Sequence, residues 1–534
     1  MEMAPLPETA APALCTGCPV RLELIQARWA ARYYQGLHRQ AKEKIAGLEQ
    51  KLEESEAECK KLDRQLFGRS TEKSSSRDGS SPGAKRSSRG RGQQPGNPGP
   101  RRRDTSHLPS EEELLDLPPE GCRCDRCGLP FREFPGTEDS ETLEIEVKAY
   151  KRVYRRRRYQ PSCECEHLPG IITAPGPAKL IPKGILGVSL WVTILLDKFV
   201  FLRPTCRLLD DLRSHGIHLP MGTVTGGLKR LVPLFDPIRE EILRRSHEQL
   251  RWQADETTWR VFVTVEGKVG CNWKLWVFES ASTVVFVLDP TRKAKVPQTF
   301  FGDIEKDGQL RVLSVDRFSS YKAIVQVKDG QILLAFCWVH VRRDFLGVVQ
   351  DWPGHQEWGL GWIEAIGELF HLNNLRLDAP VEQFEKCDKK LRKAVKKMKK
   401  RTEEELRDEQ LHPVRRKVLK SLRRHWAGLT LFVDHPEIPM DNNAVERRLR
   451  DPVCGRKQFF GSYAIWAGHL AATLFSVFGT LELWAINPRP WLHAYLQACA
   501  QAGGKAPPDA ARWLPWNLPF HEREAMAEVV SDSS

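Results

Sequence analysis

The chain has 534 residues, 41% of them hydrophobic, and carries a formal net charge of +13. That length exceeds one hydrophobic core and implies several domains. The charge points to a polyanionic partner, nucleic acid before an acidic membrane surface. The longest apolar run, Gly184 to Leu196, is too short for a membrane span and reads as a buried helix. The N-terminus has acidic residues and no basic leader, so no secretory signal is expected. The 14 cysteines then suggest cytosolic thiols or metal ligands rather than a disulfide scaffold.

Residues 1–67 read as an N-terminal helix and leucine zipper. Ile45, Leu48, Leu52, Ser55, Cys59, Leu62 and Leu66 alternate spacings of three and four, an a/d seam with one polar break at Ser55. Such a seam serves self-association, or else packs the helix on its own domain. Residues 68–103 form a basic linker with ten Lys/Arg against Glu72 and Asp78, and almost no apolar residues. It cannot bury enough surface to fold, and is expected to be a disordered tether that touches phosphates.

Residues 104–170 are expected to be a zinc-binding module. Cys124 and Cys127 form a CxxC beside Cys122, and Cys163 and Cys165 form a CxC followed by His167. Two ligand pairs joined through a hairpin would make a tetrahedral Zn²⁺ ribbon, the alternative being unrelated thiols. Cys15 and Cys18 form another CxxC with no partner pair. The run from Lys151 to Arg158, with Arg155, Arg156, Arg157 and Arg158 at its end, carries six cations and is a candidate phosphate contact.

Residues 171–250 read as helices. Pro204 opens one that runs to about Ser214, Gly216 allows a turn, and the segment from Leu219 begins another. This fits a helix-turn-helix that binds DNA, and equally any helical bundle. From 251 the pattern turns to strands, at 252–258, 260–265, 273–279, 283–289, 310–316 and 332–340. Residues 342–435 are helical and very basic, with a cationic run at 389–401, and helices resume in 436–500. The tail, 501–534, is Pro-rich and polar, with a docking segment around Trp513 and Trp516.

Strands ending in acids, followed by helices, suggest an α/β fold. Asp255 sits in the first strand of the block and Asp316 ends a later one. A third acid from a following helix would complete a clamp for two divalent metals, and Mg²⁺ or Mn²⁺ prefers such hard oxygen ligands. The segment 441–450 supplies it: Asp441 or Asn442 could cap a helix, Glu446 falls in its first turns, and Arg450 follows at i+4. Arg456 and Lys457 add cations nearby for phosphate. His340, in CysTrpValHis, is either a group beside the metal cleft or a structural histidine at a strand end. No P-loop, GxSxG elbow or HExxH helix is present.

Several ordered motifs together resemble the insertion-sequence-66 family of bacterial DDE transposases. They are LeuAspArgGlnLeuPheGlyArgSerThrGluLys (62–73), the cysteine module, AlaAspGluThr (254–257), SerValAspArgPheSerSerTyr (314–321), CysTrpValHisValArgArg (337–343), and AspAsnAsnAlaValGluArgArgLeuArg with GlyArgLys (441–457). The resemblance implies that Asp255, Asp316 and Glu446 are the catalytic metal ligands. It implies a ribonuclease-H-like catalytic core in two halves, 251–341 and 436–500, separated by the helical insertion. It further implies an enzyme that cuts double-stranded DNA at its element ends and joins them to target DNA, using two Mg²⁺ or Mn²⁺ ions. Such a protein would act as a homo-oligomer in the bacterial cytoplasm, associated with the nucleoid, with accessory transposition proteins as further partners and no membrane. The chain departs from the family pattern at Arg317, where glycine is usual, and at Thr258, where proline is common. The alternatives are a catalytically inactive DNA-binding relative acting as a regulator, and a nuclease that cuts without joining.

Overall fold

The computed structural model describes residues 19–67, 126–127, 129–130, 147–160, 171–265, 270–302, 304 and 308–527. The chain divides into two compact units, residues 1–63 with 149–534, and residues 64–148. The linker 68–103 lies outside the described residues, as do Cys122, Cys124, Cys163 and Cys165 of the expected zinc module, together with Cys15 and Cys18. Cys127 is described and is exposed.

Helix α1 spans Pro19–Phe67. The expected seam faces solvent in the single chain: Ile45, Leu48, Leu52 and Leu62 are each about half exposed or more. A different face packs inward, with Ala57 buried. Arg155 and Arg157 are exposed, whereas Arg156 donates from Nε to the Ala174 carbonyl at 2.5 Å. Arg158 and Tyr159 pair antiparallel with Ile172 and Thr173.

The apolar run becomes α2 (Val188–Phe199), which buries Trp191, Val192, Ile194, Leu195 and Leu196. Helix α3 (Thr205–Ser214) ends as read, and the chain turns at Gly216 with φ of +79°, a conformation that favours glycine. Helix α4 is Met221–His247. Among the described residues no helix is long and apolar enough to cross a membrane.

Five strands come next: β1 (Arg251–Arg260), β2 (Asn272–Glu279), β3 (Val284–Asp289), β4 (Arg311–Val315) and β5 (Ile332–Phe336). They form one mixed sheet in the order β3-β2-β1-β4-β5. The first three are antiparallel neighbours, whereas β4 runs parallel to β1 and β5 parallel to β4. The expected separate strand at 260–265 does not form; β1 runs through to Arg260, and beyond it Val261 makes an isolated bridge to Ser462. The last expected strand stops at Phe336, so Cys337 caps the next helix and His340 lies within it. Helix α5 (Lys295–Phe301) covers one face, where Phe300 stacks on Phe278 at 3.9 Å.

The four long helices of the insertion are α6 (Trp338–Asp351), α7 (Gln356–Leu377), α8 (Val381–Arg407) and α9 (Pro413–Arg424), followed by two short helical turns at Trp426–Leu429 and Leu431–Asp434. The basic run lies in α8, which buries Leu391, Val395, Met398 and Thr402 at spacings of four, three and four. That stripe is the helical period, and it leaves the lysines on the solvent side. The stripe joins Trp338, Phe345, Trp362 and Leu419 in a second core. Arg376, fully buried on α7, fixes the layers by donating to Asp388, Asn373 and the carbonyls of Phe432 and Val433.

The chain returns through α10 (Asn443–Arg448), α11 (Arg450–Phe459), α12 (Ile465–Leu483) and α13 (Pro488–Gln501). Helix α12 is apolar nearly all round and buried accordingly. It joins α2, α3, α4, the sheet and α13 in one core. In the tail, Trp513 is buried with its carbonyl accepting from Trp491, and Trp516 lies against Trp484.

Candidate active site

The sheet register places the two aspartates. Gln253 on β1 pairs in parallel with Ser314 on β4. Two residues further along each strand come Asp255 and Asp316. Because side chains alternate with a period of two, both leave on the same face. Asp316 has just passed the end of β4, and its Oδ1 accepts from the Phe318 amide at 2.9 Å. Asp255 Oδ1 accepts from the Glu256 amide at 2.8 Å.

Glu446 reaches the same place from α10. The turn before that helix is set by Asp441, whose Oδ1 accepts from the Asn443 amide at 3.1 Å. Asn442 is the N-cap residue but makes no side-chain cap; its Nδ2 donates instead to the Ala254 carbonyl at 2.9 Å. This ties the start of α10 to the strand beside Asp255. Arg450 does not sit one turn along the same helix from Glu446, as the spacing in the sequence predicts. Helix α10 ends at Arg448 and Arg450 opens α11, so the i+4 relation is broken.

Asp316 and Glu446 both lie within electrostatic reach of Asp255. Burial pushes the Asp255 carboxyl up to about 7, helped by the charges of Glu256, Asp316 and Glu446 and opposed by the Glu256 amide. A buried carboxylate among like charges is costly, and a dication would relieve it.

Helix α6 supplies the counter-charge present in this structure. Arg343 Nη2 lies 3.3 Å from Glu446 Oε2, and His340 Nε2 lies 3.8 Å from Glu446 Oε1. His340 therefore stands in the first turn of a helix rather than at a strand end. Arg343 Nη1 donates to its Nε2 at 3.2 Å, so the neutral ring carries its proton on Nδ1. Burial and the Arg343 charge both hold the imidazole below its ordinary pKa.

Glu256 faces away from Asp255, as a strand requires. Its neighbours across the strands are Trp276 and, from the segment after Asp316, Tyr321. It is only 2% exposed and ion-paired to Arg292, and Tyr321 donates to its Oε2 at 3.4 Å. Burial raises its pKa while Arg292 opposes the rise. Strand alternation marks this position only as the face opposite Asp255; the tertiary structure buries its carboxylate and pairs it with a half-exposed Arg292.

Arg317 occupies the position next to the second acid. Its Nη2 lies 2.7 Å from Asp344 Oδ2 and donates to the His340 carbonyl at 3.1 Å, while Nη1 donates to Ser421 Oγ at 2.9 Å. One side chain thus joins the Asp316 turn to α6 and α9, a role no local pattern reveals. Arg456 is turned inward: Nη1 donates to the Thr258 carbonyl and lies 3.4 Å from Thr257 Oγ1. Lys457 is exposed.

A second group of potential ligands, Glu53, His355 and His412, joins α1 to the insertion. The Val414 amide donates to His412 Nδ1 and Arg415 Nε donates to His355 Nδ1. His412 Nε2 then donates to Glu53 at 3.1 Å, while His355 Nε2 stands 4.0 Å from it, beyond hydrogen-bond reach. The group ties α1 to the insertion chiefly through the His412–Glu53 hydrogen bond.

The chain is similar to three proteins of Sinorhizobium fredii. Uncharacterized protein y4jD is 25% identical over 426 residues, covering 77% of this chain and 80% of the relative. Uncharacterized protein y4qI is also 25% identical, over 436 residues and 79% and 78% of the two chains. Uncharacterized protein y4hP is 23% identical over 416 residues, 71% of each. The model of the transposase IS66 family matches residues 183–470, a span that holds all three acids, the sheet and the insertion. The chain is a member of the IS66 family of transposases.

Proposed function

We propose that this protein is a DDE transposase that cuts DNA at the ends of its element and joins the freed ends to target DNA. The observation that carries the reading is the convergence of Asp255, Asp316 and Glu446 from two parallel strands and a following helix. The strand order, three antiparallel strands and then two parallel ones, supports a ribonuclease-H-like core interrupted by the helices of 342–435.

The donor set is three carboxylates, which suits Mg²⁺ or Mn²⁺, and the cost of a buried Asp255 carboxylate near two other acids supports a reading in which a dication offsets it. Divalent metal, when bound, supplies a Lewis acid for attack of water or a 3′-hydroxyl on phosphorus. Asp255 and Asp316 are the ligands fixed by the sheet, and Glu446 closes the set from α10. Arg343, which meets Glu446 from α6, places a cation beside the acids where the phosphate of bound DNA would lie. The carboxylates hold metal and do not attack phosphorus, so no covalent protein intermediate is involved.

The exposed cations of α8, with Arg155, Arg157 and Lys457, are proposed to hold duplex DNA. The seam of α1 is proposed to pair with that of a second copy, and the cysteine module to hold one structural Zn²⁺ that metal analysis of the purified protein would detect.

The test uses DNA carrying the element's own ends, with Mg²⁺ or Mn²⁺. Nicked and joined products are expected from the wild type. Asp255→Asn, Asp316→Asn and Glu446→Gln should each lower product formation by orders of magnitude while DNA binding persists. Normal cutting and joining by Asp255→Asn would refute the site. Nicking without joining would assign a nuclease instead.

A further inference from the structure

We propose that the far end of the Asp255 strand carries a stacking platform for unpaired DNA bases, an inference that rests on the transposase reading. Beyond β1 the chain continues beside the segment that comes after α11. Val261 bridges to Ser462 in parallel, the Phe262 amide donates to the Ser462 carbonyl at 2.8 Å, and the Ser462 amide donates to the Arg260 carbonyl at 2.8 Å. This small extension of the sheet displays three aromatic rings. Phe262 is 37% exposed, Phe460 56% and Tyr463 73%. Phe262 and Tyr463 stack on each other, with centroids 4.9 Å apart and planes 29° apart.

The platform is rigid. Gly461 has φ of +132°, and a Cβ there would collide with the Arg260 carbonyl oxygen, so only glycine lets the two segments meet. Ser462 is buried, and its Oγ accepts from Trp259 Nε1 at 3.1 Å. Phe460 adopts a left-handed conformation, φ +65°, as the C-cap residue of α11, a position where glycine or asparagine is usual. The strain returns no burial, because the ring stays in solvent. Rings held outward on a braced loop are poised for a flat apolar ligand.

Charge identifies that ligand. Arg260 and Lys457 are exposed, two residues before Phe262 and three before Phe460, and the neighbouring Arg456 is depressed by burial first and by the Arg260 charge second. Aromatic faces next to cations match the bases and phosphates of single-stranded DNA, which stack without sequence preference. A second copy of this chain fits poorly, because a two-fold contact would set Arg260 and Lys457 against their own like charges. Bases within an intact duplex are already stacked on each other. The platform therefore suits the unpaired nucleotides that arise where a DNA end is opened.

The experiment compares the full-length protein's affinity for a blunt duplex and for the same duplex with a short oligo-dT tail, without divalent metal so that nothing is cut. The wild type should prefer the tailed DNA. Tyr463→Ala with Phe262→Ala should weaken tailed binding by about tenfold, leaving blunt binding unchanged. Tyr463→Ala alone, at a highly exposed position, gives the same test without risk to folding, and Tyr463→Trp should restore the preference. Equal wild-type affinity for the two DNAs, or an equal loss on both in the variants, overturns the platform while leaving the transposase reading intact. A lower mass of the variants by light scattering overturns it in favour of a contact between copies. Failure to bind either DNA overturns both readings.

Discussion

The side-chain amide of Asn442 donates to the carbonyl oxygen of Ala254 at 2.9 Å, across 188 residues of sequence and one residue before Asp255. Asn442 is fully buried. The bond fixes the start of the helix that bears Glu446 against the strand that bears Asp255. Asn442→Asp replaces the donor by a group facing a carbonyl, with almost no change of shape. Thermal or denaturant unfolding should show a loss of about 1–3 kcal/mol, and DNA cleavage should fall even at temperatures where the variant is folded. Wild-type stability and cleavage in Asn442→Asp would show that the bond is dispensable.

Arg317 should behave as a clamp on the second acid. Its guanidinium is 15% exposed and bonds Asp344, Ser421 and the His340 carbonyl. Removing it leaves Asp344 without this partner and frees the Asp316 turn from the insertion. Arg317→Ala is expected to cost about 2–4 kcal/mol. Proteolysis of native protein should accelerate in α9. Arg317→Gly, which removes the side chain altogether, should lose stability as well, because α6 and α9 present groups that need the guanidinium. Unaltered stability in both variants would rule the clamp out.

The α1 seam has a direct consequence. Leu48 and Leu62 are exposed in the single chain, so charging them disturbs no packing within it. Leu48→Asp with Leu62→Asp should leave the unfolding transition unchanged while shifting the mass by light scattering toward the monomer. An unchanged mass across a dilution series counts against a zipper.

Lys198 gives a pH dependence of stability. Burial lowers its pKa from 10.5 to about 8, and its ammonium lies over the Phe459 ring and donates to Thr205 Oγ1. Between those pH values the unfolded chain binds a proton that the folded chain does not. Stability contributed by this group therefore rises as pH increases from about 8 to 10.5, and is at its lowest below 8. Lys198→Met keeps an unbranched apolar stem, one atom shorter, without the charge. It should be the more stable protein at neutral pH, by roughly 1 kcal/mol, and the gap should close on approaching pH 10.5. A wild-type-minus-variant difference that does not change with pH would show that the ammonium is not penalised.

Local pattern determined much of this protein. The apolar run at 184–196 specified a buried helix, because its length suits a core and not a bilayer. Gly216 marked a turn between helices, because only its φ is free. The strands around Asp255 and Asp316 were legible from β-rich composition and partial alternation, and the basic helical insertion from its cationic run at 389–401, whereas the buried stripe of α8 emerged only in the structure. The ordered acidic motifs pointed to the three carboxylates, yet spacing alone could not bring residues 255, 316 and 446 together. That depended on the parallel pairing of β1 with β4, a long-range register that leaves no mark in either strand. Tertiary structure also decided what local reading misassigned. Arg450 left the helix of Glu446 because the chain bends after Arg448, and His340 entered a helix because β5 stops at Phe336. Glu256 gained an ion-pair partner for its buried carboxylate because Arg292 arrives from beyond another strand. Arg317, Asn442 and the aromatic rings at 262, 460 and 463 acquire meaning only through partners far away in sequence, since hydrogen bonds and packing act through space and the periodicities of a sequence report only its neighbours.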